Sequence, residues 1–139
     1  MNSVETFLAR TLSADFGKLI LRFTLGFLMI FHGYKKLIYG IEGIKALTIK
    51  SGFPEFIAYG VYFGEIIVPI LIILGLWTRI SSFIYASTMG LAIYLAYSSQ
   101  IFMLNAKSGG LYIETPLFFM LGAISLMFIG AGKYSIDRR

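Results

Sequence analysis

Apolar stretches of roughly membrane-spanning length, about 20 residues, recur along the chain and are separated by short polar segments. They cover residues 17–38, 56–77, 80–104 and 111–131. Within lipid, each spanning segment must satisfy its own backbone hydrogen bonds, which favours helices. The pattern therefore predicts an all-α fold, an integral membrane four-helix bundle.

The remaining segments are amphipathic or polar. Residues 1–16 place apolar side chains such as Val4 and Phe7 at helical spacing beside charged ones, which is typical of a helix lying in the membrane interface. The polar connection 39–55 has room for one short surface helix. We therefore predict an interfacial N-terminal segment followed by a four-span domain over residues 17–139.

The composition supports a membrane location and narrows the chemistry. Hydrophobic residues make up 58% of the 139 positions and charged residues only 14%, whereas a soluble domain carries about 25% charged residues. The net charge of +5 fits the basic loops of a membrane protein better than nucleic-acid binding. The absence of cysteine excludes thiol chemistry by this chain, and a single histidine gives no reason to predict a metal site.

The topology follows from the number of spans. An even number places both termini on one side of the membrane, and a small excess of basic residues on that side predicts that it is cytoplasmic. We therefore expect a multi-pass protein of the bacterial inner membrane.

Ionisable groups inside the predicted spans are the candidates for chemistry, because each costs several kcal/mol unless it is paired or hydrated. Glu65 lies about 13 Å along the second span, close to the middle of a hydrocarbon core of about 30 Å. His32 lies in the first span. We take Glu65 and His32 as the candidate catalytic residues.

Further polar and aromatic side chains are candidates for binding a substrate near these two groups. They are Arg22, Lys36, Glu114, Tyr62 and Tyr94. Residues 98–100, Ser-Ser-Gln, add polar groups to the end of the predicted third helix. Together they predict a polar site inside the bundle.

Purely structural roles remain open for the same residues. Glu65 could pair with Arg22 or accept a hydrogen bond from His32 simply to fix the helix register, or burial could keep it protonated. Lys36 and Glu114 lie near a membrane boundary, where long charged side chains reach water easily.

Three residues of the second span are candidates for a structural role. Gly60 and Gly64 form a GxxxG pattern, which allows close helix packing within this bundle or against a second copy. Pro69 leaves one backbone carbonyl of its helix without a partner, so we expect a bend or a wider pocket near Glu65.

Several longer segments together resemble the DoxX family of small four-span membrane proteins. These are LILRFTLGFLMIFHGYKKL, GEIIVPILIILGLWTRI and ETPLFFMLGAISLMFIGAGKYSID. The resemblance implies structural roles for Arg79 and Asp137 in particular. The positions that match the family pattern are Arg22, His32, Gly33, Lys36, Glu65, Gly75, Thr78, Arg79, Gly130, Gly132, Ser135 and Asp137.

The resemblance also implies a functional setting. Family members are associated with membrane oxidoreductase assemblies, including a thiosulfate:quinone oxidoreductase, and with oxidative-stress complexes that contain soluble redox enzymes. We therefore expect a subunit of such an assembly, with an intramembrane pocket for quinone or a similar lipophilic molecule and no covalent or metal cofactor. Membrane lipid, a soluble oxidoreductase subunit and further copies of the chain are the expected partners.

Two alternatives remain open. The chain could be a non-catalytic anchor for soluble redox partners, or a small-molecule or proton-coupled transporter. The residues do not decide whether the chain is catalytic by itself.

Overall fold

The computed structural model describes residues 2–138, which contain helices and no strand. This confirms the all-α prediction. The elements are α1 (Ser3–Thr11), α2 (Ala14–Tyr39), α3 (Glu42–Lys50), α4 (Phe56–Tyr62), a π-helical turn (Phe63–Ile67), α5 (Val68–Leu74), α6 (Thr78–Tyr97) and α7 (Glu114–Ile129).

Local sequence explains where the first helices begin and where α5 ends. The side chains of Asn2 and Ser13 accept hydrogen bonds from the first turns of α1 and α2, as N-cap residues commonly do. Gly75 ends α5 in the left-handed conformation, with φ of +68°, which glycine adopts without steric penalty. The chain can therefore turn within three residues into α6.

The hydrophobic core lies between α2, α5, α6 and α7. The Tyr85 hydroxyl donates to the Leu25 carbonyl over 2.8 Å, so the polar end of this buried ring is satisfied. Helices α6 and α7 pack along each other, as do α2 and α5. The core residues are Leu25, Met29, Val68, Ile72, Tyr85, Met89, Phe119, Ala123 and Leu126.

Two helical segments are long and apolar enough to cross a membrane, the continuous stretch Phe56–Leu74 and helix α6. Helix α7 is also apolar but has only 16 residues. Helix α2 is 26 residues long but includes charged residues such as Arg22 and Lys36, which lower its hydropathy. Helix α1 contributes no buried residue.

The third and fourth predicted spans, residues 80–104 and 111–131, are longer than helices α6 and α7. Helix α6 ends at Tyr97 rather than at residue 104, so the Ser-Ser-Gln segment 98–100 lies in a turn and not on the helix. The apolar residues that follow belong to a compact loop in which the amide of Asn105 donates to the carbonyl of Gly110. Hydropathy alone cannot distinguish such a loop from a helix, because it does not register turns closed by backbone hydrogen bonds.

Glycines on α2 allow close helix packing. A Cβ atom at Gly33 would lie 2.7 Å from the backbone oxygen of Glu65, and one at Gly26 would lie 2.6 Å from that of Pro69. Real Cβ atoms do not come so close, so any larger residue would push the helices apart. The two glycines therefore hold α2 against the π-helical turn and α5.

The two glycines of the GxxxG pattern in the second span have different surroundings. A Cβ atom at Gly64 would collide with the side chain of Thr88 on α6, whereas one at Gly60 would meet nothing within 4 Å. Gly64 thus serves close packing within this chain. Gly60 faces open space.

Candidate functional site

The site is a cavity of about 840 Å³ bounded by α2, α3, the Phe56–Ile67 stretch, α6 and α7. Most of its lining side chains are apolar. His32, Lys36 and Glu65 are the lining residues that can carry a charge near neutral pH. The cavity therefore combines an apolar volume with a small, localised group of ionisable residues.

Lys36 and Glu65 form an ion pair in this cavity. The Lys36 Nζ atom lies 2.5 Å from both carboxylate oxygens of Glu65. The Glu65 side chain is 4% exposed and that of Lys36 is 26% exposed. Arg22 and His32 were the partners of Glu65 that the sequence left open, but the partner in the structure is Lys36. Lys36 therefore turns inward to the carboxylate instead of extending to the membrane boundary.

The π-helical turn determines the position of Glu65. Pro69 has no backbone N–H and cannot pair with the carbonyl four residues earlier, which belongs to Glu65. The chain adjusts by a wider turn in which the amide of Val68 donates to the carbonyl of Phe63. Such π-helical turns are rare overall, and those that occur are often found at functional sites.

His32 lies on the same cavity wall as Lys36, one helical turn earlier on α2. Its ring stands edge-on to that of Phe119, with 6.2 Å between the ring centroids. The structure therefore brings His32, Lys36 and Glu65 together around one cavity.

Three hydroxyl groups of the lining donate hydrogen bonds within their own helices. Those of Thr48, Ser87 and Thr88 donate to the carbonyls four residues earlier, over 2.7, 2.9 and 2.9 Å respectively. The ionisable residues, rather than these hydroxyls, consequently dominate the polarity that a bound molecule would meet.

Arg22 lies at the opposite end of α2 and does not reach this cavity. It is 1% exposed and donates to four backbone carbonyls, at 2.7–3.0 Å. These carbonyls belong to the end of α5, at Ile72 and Ile73, and to the C-terminal tail, at Ala131 and Tyr134. The proposed role of Arg22 in binding a substrate therefore does not fit the structure, because its donors are directed at the backbone.

Arg79 and Asp137 complete the same end of the molecule. Arg79 donates to the carbonyls of Met127 and Phe128 at the end of α7, over 2.6 and 2.7 Å. The Asp137 carboxylate accepts from the amides of Trp77 and Thr78, over 3.0 and 2.8 Å, and so caps the start of α6. Both side chains hydrogen-bond to the backbone at helix ends, which fits the structural roles expected of them.

The other candidate binding residues lie outside the cavity. Glu114 lines a separate shallow pocket at the start of α7. The Tyr62 hydroxyl donates to the Lys36 carbonyl over 3.4 Å, and Tyr94 packs against Phe53 with 6.4 Å between ring centroids. These three side chains are not among the residues that line the cavity, and their role in binding a substrate stays a prediction.

Other residues of the cavity wall were not found from the sequence. Thr48 and Leu47 of α3 close one end, and Phe119 of α7 and Met89 of α6 form part of the wall. The sequence predicts a short surface helix in the connection 39–55. Its apolar residues, at helical spacing within 41–47, were the signal from which this part of the wall could have been found. Nothing in the pattern indicated that these residues cover a cavity.

Comparison with known proteins identifies a family and its relatives. The sequence profile of the DoxX family matches residues 17–98. A Bacillus subtilis (strain 168) protein named "Putative oxidoreductase CatD" is 33% identical over 105 residues, covering 76% of this chain and 78% of that protein. An uncharacterized Haemophilus influenzae (strain Rd) protein is 30% identical over 122 residues, covering 86% and 87%. No solved structure matches the chain.

Proposed function

Because this chain belongs to the DoxX family, we propose that it crosses the bacterial inner membrane four times, with both termini in the cytoplasm. The spans are α2, Phe56–Leu74, α6 and α7, within a domain that covers residues 17–139. Helices α1 and α3 lie at the two interfaces. The apolar length of Phe56–Leu74 and α6 supports this arrangement.

Exposed apolar side chains also support it. On α2, Phe23, Phe27 and Phe31 are 43–57% exposed and stack along one face. A soluble monomer rarely exposes so large an apolar surface. Helix α7 rises about 24 Å over its 16 residues, and the loop before it and the turn after it complete the membrane thickness.

We infer that the cavity binds quinone or a similar lipophilic carrier, and that the chain is a subunit of a membrane oxidoreductase assembly. The observation that carries this inference is the Lys36–Glu65 ion pair at an apolar cavity of about 840 Å³. Small-molecule sites usually have volumes of about 300–1,000 Å³ and a few placed polar groups. The name of the Bacillus relative, which includes "oxidoreductase", agrees with the inferred setting.

The ionisable groups suit the proton part of quinone chemistry. Reduction of a quinone to a quinol consumes two electrons and two protons. In our proposal the electrons come from a reduced cofactor of a soluble partner subunit, and the Lys36 ammonium hydrogen-bonds to one quinone oxygen. Glu65 takes up each of the two protons in turn from water and passes it to an oxygen of the reduced ring, and His32 stands on the wall where the second oxygen would lie.

A purely structural role for the ion pair explains less. Burying two charges costs several kcal/mol per ion, and their attraction often does no more than offset that cost. A pair that served only helix packing would be expected among tightly packed side chains. Here it borders an open volume, which favours a ligand.

The test compares binding and turnover in a matched set of variants. Lys36→Gln combined with Glu65→Gln keeps a hydrogen-bonding pair of similar size but removes both charges, and Glu114→Gln removes a carboxylate outside the cavity. Native mass spectrometry of protein in nanodiscs should show bound ubiquinone for wild type and Glu114→Gln, with at least a tenfold loss for the double variant. Quinone reduction by the assembled complex should fall in parallel.

Equal binding and turnover in the double variant would overturn the proposed site. If wild type binds no quinone and all variants still assemble with a soluble partner, the chain is an anchor. Uptake of a polar solute by proteoliposomes would instead indicate a transporter.

A further inference from the structure

The cavity opens sideways between α4 and α6. The π-helical turn and α5 pack against α6, whereas α4 does not pack closely on it. Residues of both helices line the cavity along this gap, including the exposed Phe56 and Gly60 on α4 and, opposite them, Ala92 and the exposed Ala96 on α6. The wider π-helical turn therefore separates α4 from α6 and leaves a slot between them.

The slot lies at the depth of the hydrocarbon core. Gly60 lies about 6 Å along its span from Phe56, and Ser87, just beyond the inner end of the slot, lies about 14 Å along α6 from Thr78. Both helical segments beside the slot belong to stretches apolar enough to span a membrane. In the four-span arrangement, lipid chains would consequently face the opening.

The end of the cavity towards the 39–55 connection is covered. Thr48 of α3 is completely buried, and it lines the cavity together with Ile44 and Leu47. Lys45 holds α3 against α4, with its Nζ atom 4.9 Å from the centre of the Tyr59 ring and 3.9 Å from the Glu55 carboxylate. Helix α3 thus covers this end of the cavity.

We propose that the substrate enters and leaves through the α4–α6 slot directly from the bilayer, and that it is an amphiphile with a polar ring and an apolar tail. The ring lies at the Lys36–Glu65 pair and the tail lies in the slot beside Gly60. This proposal rests on the proposed function, and it adds the entry route and the requirement for a tail.

Gly60 provides a direct test. Its Cβ position is open, so a larger side chain there fills the slot without a clash. Gly60→Leu should weaken binding of decylubiquinone in nanodiscs at least tenfold. Binding of the tail-less ring 2,3-dimethoxy-5-methylbenzoquinone should change less than twofold. Gly17→Leu is the matched control, because Gly17 is also a helical glycine with an open Cβ position and does not line the cavity.

The possible outcomes separate the two proposals. If wild type binds decylubiquinone and Gly60→Leu binds it equally well, slot entry is wrong while the quinone site stands. If Gly60→Leu loses both compounds alike, the tail does not lie in the slot, and the inference is also wrong. If wild type binds neither compound, the proposed function itself fails.

A second measurement tests the slot without any quinone. The chain has no cysteine, so Ser87→Cys can carry a single nitroxide spin label. We expect the label in liposomes to be accessible to lipid-dissolved oxygen and protected from a water-soluble nickel chelate. Adding decylubiquinone should reduce the oxygen accessibility. Greater accessibility to the chelate than to oxygen would show that the slot faces water and would overturn the proposal.

Discussion

The two ends of α2 hold buried charges in very different surroundings. Arg22 is enclosed by backbone carbonyls of α5 and the C-terminal tail. Lys36, about 21 Å further along the helix, pairs with Glu65 beside an open cavity. Both are cations within one helix, yet only Lys36 borders space that another molecule can occupy.

The difference lies in the groups that each buried cation contacts. A guanidinium has five donors in a rigid arrangement, and Arg22 uses its donors on carbonyls at the end of α5 and in the tail, where the helix itself leaves carbonyls unpaired. A cation at a helix C-terminus also interacts favourably with the helix dipole. Arg22 therefore links three parts of the chain, whereas Lys36 makes one ion pair that a ligand can join.

The largest expected effect comes from removing the Arg22 network. Arg22→Leu would leave several buried carbonyls without donors, at a cost we estimate as about 5 kcal/mol or more. Thermal unfolding in detergent, followed by circular dichroism, should show a greatly reduced midpoint or no folded protein. Arg22→Lys should rescue only part of the loss, because a single ammonium cannot reach all the carbonyls. If Arg22→Leu is as stable as wild type, the carbonyl contacts of Arg22 do not stabilise the fold, and the contrast drawn between Arg22 and Lys36 is wrong.

The next effect concerns the Lys36–Glu65 pair. Lys36→Met alone should destabilise the protein by about 3–5 kcal/mol, because it leaves a buried carboxylate without its partner. Adding Glu65→Gln should recover most of that loss. The recovery can be measured as a double-mutant cycle in thermal unfolding. Additive losses would mean that the two residues do not interact and would contradict the ion pair.

The two glycines of the GxxxG pattern should respond differently to the same substitution. Gly64→Leu forces a side chain into Thr88 and should cost about 1–3 kcal/mol through overpacking. Gly60→Leu enters open space and should leave the unfolding midpoint close to that of wild type. Equal destabilisation by both would show that the cavity is not open at Gly60.

The smallest effect is expected at the start of α6. Asp137→Ala removes the side-chain cap from the amides of Trp77 and Thr78, and loss of an N-cap costs about 1 kcal/mol. Quinone binding should remain unchanged, because residue 137 is at the Arg22 end. Glu5→Gln, on a helix with no buried residues, serves as the control and should not alter the midpoint. A loss of quinone binding in Asp137→Ala would show that the two ends are coupled.

Much of the site was predictable because it depends on residue type and depth. A carboxylate in the middle of an apolar stretch must be paired or hydrated, and this singled out Glu65 whatever its neighbours. The effect of Pro69 near Glu65 followed from its missing N–H. The partner of Glu65 was not predictable, because Arg22, His32 and Lys36 share one side of α2 and the choice among them depends on how the helices are placed.

The amino-acid sequence by itself determined the helical class, the apolar segments, the family and the need of Glu65 for a partner, since these follow from hydropathy, backbone chemistry and local motifs. The tertiary structure alone decided that Arg22 binds the backbone, that Lys36 turns inward and that Tyr94 and Glu114 lie elsewhere. It also decided that α3 covers the cavity. These features depend on helix rotation and distance across the bundle, which close contacts such as that of Gly33 with Glu65 establish, and no local pattern along the chain encodes them.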